Sequence, residues 1–234
     1  MEWQDSIAAF LHRYGPIFSF DDHERALLEC SAARSQLHEP GTYIRRQTDT
    51  DSRPCIVASG WACYARSHNG RRQIFSFILP GDSIGLAGGP FARSGSEIVA
   101  LTANLLVDAS NLKHALADSE CPNLRMAFDL EQGLHEARLL DQVVQLGQKS
   151  SLERTACLLL ELHYRLDRAG LVKNGVFQLP LTQIQMGEAL GLSQIQMHRS
   201  LSSLRRNGLL VLNGRGAALP NLALLERAAG YEMR

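Results

Sequence analysis

From Thr182 to Leu219 the chain reads TQIQMGEALGLSQIQMHRSLSSLRRNGLLVLNGRGAAL. Thr182 and Gln185 have the spacing of a capping box, which predicts a helix that ends at Gly191, a residue able to adopt positive φ. Ser193 predicts the cap of a second helix. The apolar positions of this second helix, which we expect to face inward, are Ile195, Met197, Leu201 and Leu204. Two short helices joined by a tight turn form a helix-turn-helix.

The residues after the second helix predict a β-hairpin. Leu209–Leu212 is an apolar strand, and Asn213-Gly214 is a dipeptide typical of hairpin turns. A further short strand follows from Ala217 to Leu219. The segment is therefore predicted to be a winged helix-turn-helix.

The chemistry of the exposed positions indicates a DNA-binding surface. In a helix-turn-helix the second helix lies in the major groove, where Gln suits adenine and Arg suits guanine. Hydroxyl groups at helix N-termini are placed to hold phosphates. The predicted DNA-binding residues are Thr182, Gln183, Ser193, Gln194, Gln196, His198, Arg199, Arg205, Arg206 and Arg215. An ordinary helical hairpin with a solvated polar face is the alternative, but the whole series in one order favours DNA binding.

The distribution of charge supports this interpretation, although the formal net charge of the 234 residues is zero. Residues 149–234 contain 11 Lys and Arg against 6 Asp and Glu, whereas residues 1–148 contain 13 against 18. An excess of cations is expected in the part of a chain that neutralises DNA phosphates.

The segment from Gly41 to Ala109 predicts a small antiparallel β structure. Short runs rich in β-formers, such as Cys55–Ala58 and Gln73–Leu79, alternate with turn signals. Asn69-Gly70 is a strong signal for a two-residue hairpin turn. Two helices should precede this segment, the second over Asp22–Ser35. Evenly spaced short strands of this kind are typical of a barrel or jelly roll.

Pro122–Gly147 is the longest predicted helix. Its apolar stripe consists of Leu130, Leu134, Ala137, Leu140 and Val144, with Glu131, Glu136 and Arg138 off the stripe. Such a stripe must be buried, either against a second copy of the chain in a coiled coil or against the protein's own barrel. Asp141 interrupts the heptad. We expect the stripe to form a homodimer interface.

Composition restricts the class of protein. No apolar run approaches the roughly 20 residues that span a bilayer, and the start has no basic region followed by an apolar one. The sequence predicts a cytoplasmic protein without membrane contact. The five cysteines lack CxxC spacing, which argues against a disulfide framework or a compact metal site.

These motifs together resemble the family of the cyclic-AMP receptor protein and the fumarate and nitrate reduction regulator, the CRP/FNR family. The C-terminal similarity lies in Leu181–Gln183, Ala189–Ser193, His198–Leu201 and Leu204–Leu209, and the N-terminal similarity in Gly60-Trp61, Gly70–Gln73 and Leu79–Gly85. The resemblance implies an α+β fold. It places a double-stranded β-roll of the cyclic-nucleotide-binding type at residues 1–120, a dimerisation helix at 121–148 and a winged helix-turn-helix domain at 149–234.

The resemblance also implies roles for individual residues. Thr182 and Ser193 would contact phosphates, and Gln194 and Arg199 would read bases or contact the backbone. Ile195 stands where many members have a Glu that reads cytosine, so a different half-site is expected. The partners implied are pseudo-palindromic double-stranded DNA, a second copy of the chain, RNA polymerase and an unknown small-molecule effector.

The sensor departs from the cyclic-nucleotide binders of the family. Those members follow the turn glycine with a Glu for the ribose and place an Arg later for the phosphate. Here Leu86 follows Gly85, and only Arg93 could replace that Arg, so no cyclic nucleotide is expected. The effector pocket implied by the resemblance comprises Ile84, Gly85, Leu86, Arg93 and Ser94.

No cofactor, metal or catalytic residue is predicted. The family's N-terminal cysteine cluster is absent from the sequence, which argues against an iron–sulfur centre. His23, His38, His68 and Cys63 could supply axial ligands to haem, although a single His is more often packed or at the surface. Two other functions stay open, a ligand-binding module that acts through protein contacts and a cupin-like enzyme. The second lacks the His-x-His pair that cupin sites commonly use.

Overall fold

The computed structural model describes residues 3–49, 53–86, 96–117 and 120–230. The helices are α1 (Trp3–Tyr14), α2 (Asp22–Ala32), α3 (Ser110–Ala117), α4 (Pro122–Gln148), α5 (Ser151–Arg168), α6 (Gln183–Leu190), α7 (Gln194–Arg206) and α8 (Leu222–Ala228). The strands are β1 (Ser35–His38), β2 (Tyr43–Arg45), β3 (Cys55–Ser59), β4 (Ala62–His68), β5 (Arg71–Ile78), β6 (Ser83–Ile84), β7 (Glu97–Ala100), β8 (Asn104–Asp108), β9 (Val176–Gln178), β10 (Val211–Asn213) and β11 (Gly216–Ala218).

The N-terminal strands form two four-stranded sheets, in the orders β1-β8-β3-β6 and β2-β7-β4-β5. Asn69 and Gly70 both adopt positive φ, 50° and 73°, between β4 and β5. This is the geometry that a type I′ hairpin turn requires. The predicted double-stranded roll and hairpin are confirmed.

The alternation of side chains along two strands separates two hydrophobic cores. Cys55, Val57 and Leu106 belong to the core between the sheets. Ile56 and Val107, their neighbours in β3 and β8, belong to a second core formed with the helices. Successive residues of a strand point to opposite faces, so this sheet is covered on both sides. At the centre of the helical core, the Phe10 ring lies 4.9 Å from Tyr14 and 5.3 Å from Phe128, between ring centroids.

The sequence prediction was wrong at several element boundaries. The helix expected over Asp22–Ser35 ends at Ala32, and Ser35 begins β1, where it pairs with Val107. Long-range pairing with β8 overrides the local helical pattern there. The short elements α3 and β6 were not predicted; β6 has two residues and pairs with β3.

A buried group of charges joins α1, the β5–β6 turn and α4. The Arg13 guanidinium forms an ion pair with Asp82 and donates a hydrogen bond to the Pro80 carbonyl at 3.1 Å. The Glu131 carboxylate accepts hydrogen bonds from the backbone N–H and the hydroxyl of Ser83, at 2.7 and 2.6 Å. Glu131, which the sequence places off the apolar stripe, is therefore buried in the fold.

Burial and the nearby Asp82 raise the pKa of Glu131 to about 6 from an ordinary value of 4.5. With Arg13 and Asp82 charged, ionised Glu131 leaves this group with one excess negative charge in a desolvated place. The folded protein therefore binds a proton more readily at Glu131 than the unfolded chain does.

The apolar stripe of α4 is only partly covered within one chain. Met126, Leu140, Val143 and Val144 are all more than half exposed, with Leu140 and Val143 at 69%. Leu130, by contrast, packs against the helical core of its own chain.

The chain divides into two compact units. One comprises Met1–Arg66 and Ser76–Arg138, and the other comprises Ser67–Phe75 and Leu139–Arg234. The tip of the β4–β5 hairpin thus belongs to the second unit, and α4 contributes residues to both. The domain boundaries expected after residues 120 and 148 remain a prediction. Among the described residues, no helix combines the length and apolarity needed to cross a membrane.

The raised pKa of Glu131 makes stability depend on pH. Between pH 4.5 and 6 the folded state binds more protons at this site, so the free energy of unfolding falls as pH rises through that window. Relative to Glu131→Gln, the wild type should gain about 1 kcal/mol of stability from pH 7 to pH 5. Urea unfolding at several pH values measures this difference. Glu136→Gln, at an exposed position of the same helix, is the control, and parallel pH curves for wild type and Glu131→Gln would contradict the assignment.

Candidate nucleic-acid interface

Helix α6 begins at the capping box that the sequence predicted. The backbone N–H of Gln185 donates to the Thr182 hydroxyl at 3.2 Å, and the Thr182 N–H donates to the Gln185 side-chain oxygen at 2.9 Å. Met186, Ala189 and Leu190 are buried against the rest of the domain. The cap therefore fixes the first turn of α6 while its apolar side anchors the helix.

The turn between α6 and α7 depends on two glycines. Gly191 ends α6 with φ of 62°, in the left-handed region that favours glycine. One turn earlier, the Gly187 carbonyl accepts a hydrogen bond from the Leu192 N–H at 3.0 Å. A Cβ at Gly187 would lie 2.7 Å from the Leu192 carbonyl oxygen, so no larger residue fits without a backbone shift. This close approach sets where α7 begins.

Helix α7 has a buried side and an exposed side. Met197, Ser200, Leu201 and Leu204 are buried. The exposed residues are Gln194, Ile195, Gln196, His198, Arg199, Arg205 and Arg206. The prediction that Ile195 faces inward was wrong, because 66% of the residue is exposed. It lies in the first turn, where the helix projects beyond the apolar stripe that begins at Met197, and it adds an apolar group to the polar face.

The capping interactions of α7 constrain two of the predicted DNA-binding side chains. The Gln196 N–H donates to the Ser193 hydroxyl at 3.3 Å, and the Ser193 N–H donates to the Gln196 side-chain oxygen at 2.9 Å. Each hydroxyl that accepts such a bond keeps its own O–H as a donor. The Gln196 side-chain oxygen is engaged, which leaves its NH₂ group to donate outward.

The cations of this unit lie on the exposed side. Arg199, Arg205 and Arg206 on α7 and Arg215 in the β10–β11 turn are exposed, and none of their side chains makes a hydrogen bond or an ion pair within the described ranges. Arg205 and Arg206 also stand at the C-terminal end of α7, where positive charge is favourable without any ligand.

The wing is a three-stranded sheet in the order β10-β11-β9. Asn213 pairs with Gly216, so Gly214 and Arg215 form the two-residue loop, and only Gly214 of the pair Asn213-Gly214 has positive φ. The predicted hairpin is confirmed, but with glycine as the first residue of its loop.

Several hydrogen bonds connect the helix-turn-helix to α5, and the start of α5 to α8. Arg154 on α5 donates to the Leu190 carbonyl at 3.1 Å and to the Lys149 carbonyl at 2.8 Å. Lys149 in turn donates to the Ala229 carbonyl at 2.7 Å. The end of α6 is therefore tied to the start of α5, which is tied to the end of α8.

The hairpin tip Ser67–Phe75 supplies further contacts within the second unit. Arg72 forms an ion pair with Glu188 of α6, with its Nη2 2.7 Å from the carboxylate oxygen. The side-chain amides of Gln73 and Gln142 donate to the Ala189 carbonyl at 3.2 and 3.0 Å. None of these contacts was predicted, because they join residues more than 40 positions apart in the sequence.

The predicted effector residues do not share one surface. Ile84 lies in the core between the two sheets, whereas Leu86 packs in the helical core. Gly85 between them has φ of 73°. Arg93 and Ser94 lie outside the described residues. The effector pocket implied by the resemblance therefore stays a prediction.

The residues considered for haem lie on different elements. His23 is on α2, His38 at the end of β1, and Cys63 and His68 on β4. Within the described ranges no group of three or more His, Cys, Asp or Glu side chains is arranged to hold a metal ion.

A β-roll followed by a long helix and a winged helix-turn-helix defines a DNA-binding transcription regulator controlled by a sensory domain. Residues 153–228 match the Crp-like helix-turn-helix domain. The fumarate and nitrate reduction regulatory protein of Escherichia coli K12 is 23% identical over 215 residues, which are 92% of this chain and 86% of that protein. The transcriptional regulatory protein btr of Bordetella pertussis is 27% identical over 164 residues, 70% of this chain and 67% of that protein.

The structural comparison agrees. FixK2 from Bradyrhizobium japonicum superposes with a TM-score of 0.73 at 26% identity, over 86% of this chain and 98% of that one. The matched domain, the relatives and this solved structure together support a transcription regulator of the CRP/FNR type. The resemblance predicted from the sequence is confirmed, and the relatives are regulators rather than enzymes.

The Ser193 cap should stabilise the first turn of α7 by a measurable amount. Ser193→Ala removes the acceptor for the Gln196 N–H and should destabilise the start of α7 by about 1 kcal/mol. Hydrogen exchange of the first-turn amides, together with urea unfolding, measures the effect. Ser203→Ala, in the last turn of the same helix, is the control and should change stability by less than about 0.5 kcal/mol. Equal exchange rates at Gln196 in the two variants would show that the cap does not form in solution.

Proposed function

We propose that a homodimer of this chain binds a pseudo-palindromic DNA duplex, with α7 of each subunit in a major groove. The observation that carries this proposal is the exposed side of α7, which bears amide, imidazole and guanidinium groups. Capping boxes fix the first turns of both α6 and α7. Two such helices in a dimer would face half-sites about 34 Å apart.

Phosphate contacts are assigned to the helix N-termini and to the outlying cations. The hydroxyls of Thr182 and Ser193 keep their hydrogens for donation, and they stand where the backbone N–H groups of α6 and α7 favour negative charge. Arg205, Arg206 and Arg215 are exposed and suited to the flanking backbone. Gln183, the first residue of α6, is half-buried and directly follows Thr182, so it is assigned to the same phosphate.

Base contacts are assigned to the first two turns of α7. Gln194 and Arg199 carry the groups that suit adenine and guanine, and His198 adds a further donor or acceptor. Gln196 would contribute a donor only, because its side-chain oxygen accepts from the Ser193 N–H. The exposed side chain of Ile195 suits the methyl group of thymine. We expect the half-site to contain a thymine at the position that Ile195 faces.

The interface between the two chains of the dimer is assigned to the exposed apolar stripe of α4. Met126, Ala137, Leu140 and Val144 are exposed and recur at the intervals of a heptad repeat. Gly133 falls on the same stripe, and a Cβ there would meet no atom of its own chain. Small residues at such positions allow two helices to approach closely. Leu134, also in the predicted stripe, is half-buried and lies at its edge.

The remaining partners follow from the same assignment. RNA polymerase stays a predicted partner. Whether transcription rises or falls depends on where the site lies relative to a promoter. The sensory unit would change the affinity for DNA when it binds its effector.

Substitutions at two arginines separate base reading from phosphate binding. Using a site selected from random duplexes, Arg199→Ala should lose about 1 to 3 kcal/mol of binding free energy and discriminate less well against random DNA. Arg206→Ala should weaken both complexes to a similar extent and reduce the salt dependence of binding by about one phosphate contact. Fluorescence anisotropy at several salt concentrations measures both effects.

The matched control is Arg168→Ala, which removes an exposed cation from the last turn of α5. It should leave specific binding unchanged. If Arg199→Ala retains full discrimination, or if Arg168→Ala weakens binding as much as Arg206→Ala, the assigned roles are wrong.

The dimer interface can be tested without DNA. Leu140→Gln with Val144→Gln replaces two exposed apolar side chains of α4 by polar ones, so the dimer should dissociate at concentrations where the wild type stays associated. Sedimentation velocity measures this shift. Leu224→Gln, at an apolar residue of α8 that is 46% exposed, is the control. A double variant that remains dimeric would place the interface elsewhere.

A further inference from the structure

A cavity of about 450 Å³ lies in the first compact unit, at one end of the space between the two sheets. Its walls come from β1, β2, the start of β3, β6 and the end of β8. Binding sites for small molecules commonly have volumes of 300–1,000 Å³. The cavity is therefore large enough for a metabolite, and its lining identifies the chemistry it would accept.

Three arginines, Arg34, Arg45 and Arg53, line the cavity, together with two carboxylates, Asp49 and Asp108. Arg34 and Arg53 are exposed, and in the described ranges neither guanidinium makes a hydrogen bond or an ion pair. The lining thus carries an excess of one positive charge when all five groups are ionised.

Both carboxylates already accept a backbone hydrogen bond. The Arg46 N–H donates to Asp49 at 2.7 Å. Asp108 accepts a hydrogen bond from the Ser110 N–H at 2.8 Å, at the beginning of α3. Hydrogen bonds from the Ser110 side chain and backbone, together with the nearby charges of Arg34 and Arg53, hold the pKa of Asp108 below its usual range. Asp108 therefore stays ionised and helps to keep both arginines at the cavity, but its geometry is set by the helix start.

The third arginine, Arg45, is more buried than Arg34 and Arg53. The Arg45 guanidinium lies 3.4 Å from the Ser96 hydroxyl, measured from Nη2, and its central carbon is 6.0 Å from the centre of the Tyr64 ring. Arg45 is half-buried, so its charge is less screened by water than that of an exposed arginine.

The inner wall of the cavity is apolar. Cys55, Ile84 and Leu106 line it and also belong to the buried core between the sheets. Burial raises the pKa of the Cys55 thiol to about 12, so this wall carries no charge at neutral pH. His38, at another side of the cavity, has a lowered pKa because of burial and adds no charge there either.

We propose that this cavity binds a small organic anion as the effector of the regulator. A carboxylate or phosphate group would lie among Arg34, Arg45 and Arg53, and an apolar portion would rest on Cys55, Ile84 and Leu106. Guanidinium groups bind either oxyanion in a bidentate manner, and the apolar wall would exclude a ligand that is charged throughout. The role as effector rests on the proposed DNA-binding function, but the binding step does not.

The residues that carry this inference differ from the effector pocket expected from the sequence. Ile84 is common to both, and the three arginines precede the whole Leu79–Gly85 motif in the chain. The charge that would hold the anion comes from the residue before β1, from strand β2 and from the segment before β3.

The first experiment measures binding to the whole protein in the absence of DNA. The probes are hexanoate and hexyl phosphate, which share an apolar tail and differ in the oxyanion, together with neutral hexanamide. Calorimetric titration should show saturable binding of at least one anion, and the stronger of the two identifies the head group. Absence of binding by both anions at millimolar concentrations, or equal binding of hexanamide, would overturn the proposal.

Two double variants test the location. Arg34→Gln with Arg53→Gln should weaken the anion at least about tenfold, whereas Arg46→Gln with Arg71→Gln removes two exposed arginines that do not line the cavity and should have no effect. Equal losses in the two variants, or no loss in the first, would refute the site. Because Arg34 and Arg53 are exposed, both proteins should fold, and the single variant Arg53→Gln offers the same test with one charge removed.

The effector role is measured separately. Affinity for the selected DNA site is compared with and without the bound anion, for the wild type and for Arg34→Gln with Arg53→Gln. A change confined to the wild type supports the role, and an unchanged affinity overturns it. Failure to bind DNA both with and without the anion would count against the proposed function alone, since binding of the probe is measured without DNA.

Discussion

The close contact between α6 and α7 is the constraint on which the interface depends. With Gly187 lacking a side chain, the Leu192 backbone can approach α6, and the left-handed conformation of Gly191 then turns the chain within three residues. The direction of α7 follows from this turn, and with it the set of side chains that remain exposed. The caps, the support from Arg154 and the hairpin tip all hold a geometry that these two glycines make possible.

Much of this region could be predicted from the sequence because its signals are local. Capping boxes, turn glycines and the wing each involve residues within a few positions of one another, and the structure contains every one of them. The inward assignment of Ile195 failed because hydrophobicity alone decided it, whereas position in the first turn decides exposure. The pattern of α4 places Glu131 off the apolar stripe and does not show that it is buried, where Ser83 on β6 donates hydrogen bonds to it.

The fold of the sensory unit could be predicted from the sequence, but the position of its cavity could not. Alternating β-formers and Asn69-Gly70 indicated the roll, while strand β1 became visible only through its pairing with β8. The cavity is built from segments that are separated by up to 74 positions, from Arg34 to Asp108, and meet at one end of two sheets. No local pattern marks such a place, and the family motif pointed to a neighbouring segment instead.

The unpaired arginines of α7 and the wing have a practical consequence. Like charges held close together by a folded scaffold repel one another, and an unfolded chain relieves that repulsion by spreading them apart. A polyanion that binds the native protein more tightly than it binds the unfolded chain will shift the folding equilibrium toward the native state. Nucleic acid fragments carried through a purification would therefore make this protein more resistant to heat than it is by itself, and nuclease treatment belongs before any thermal measurement.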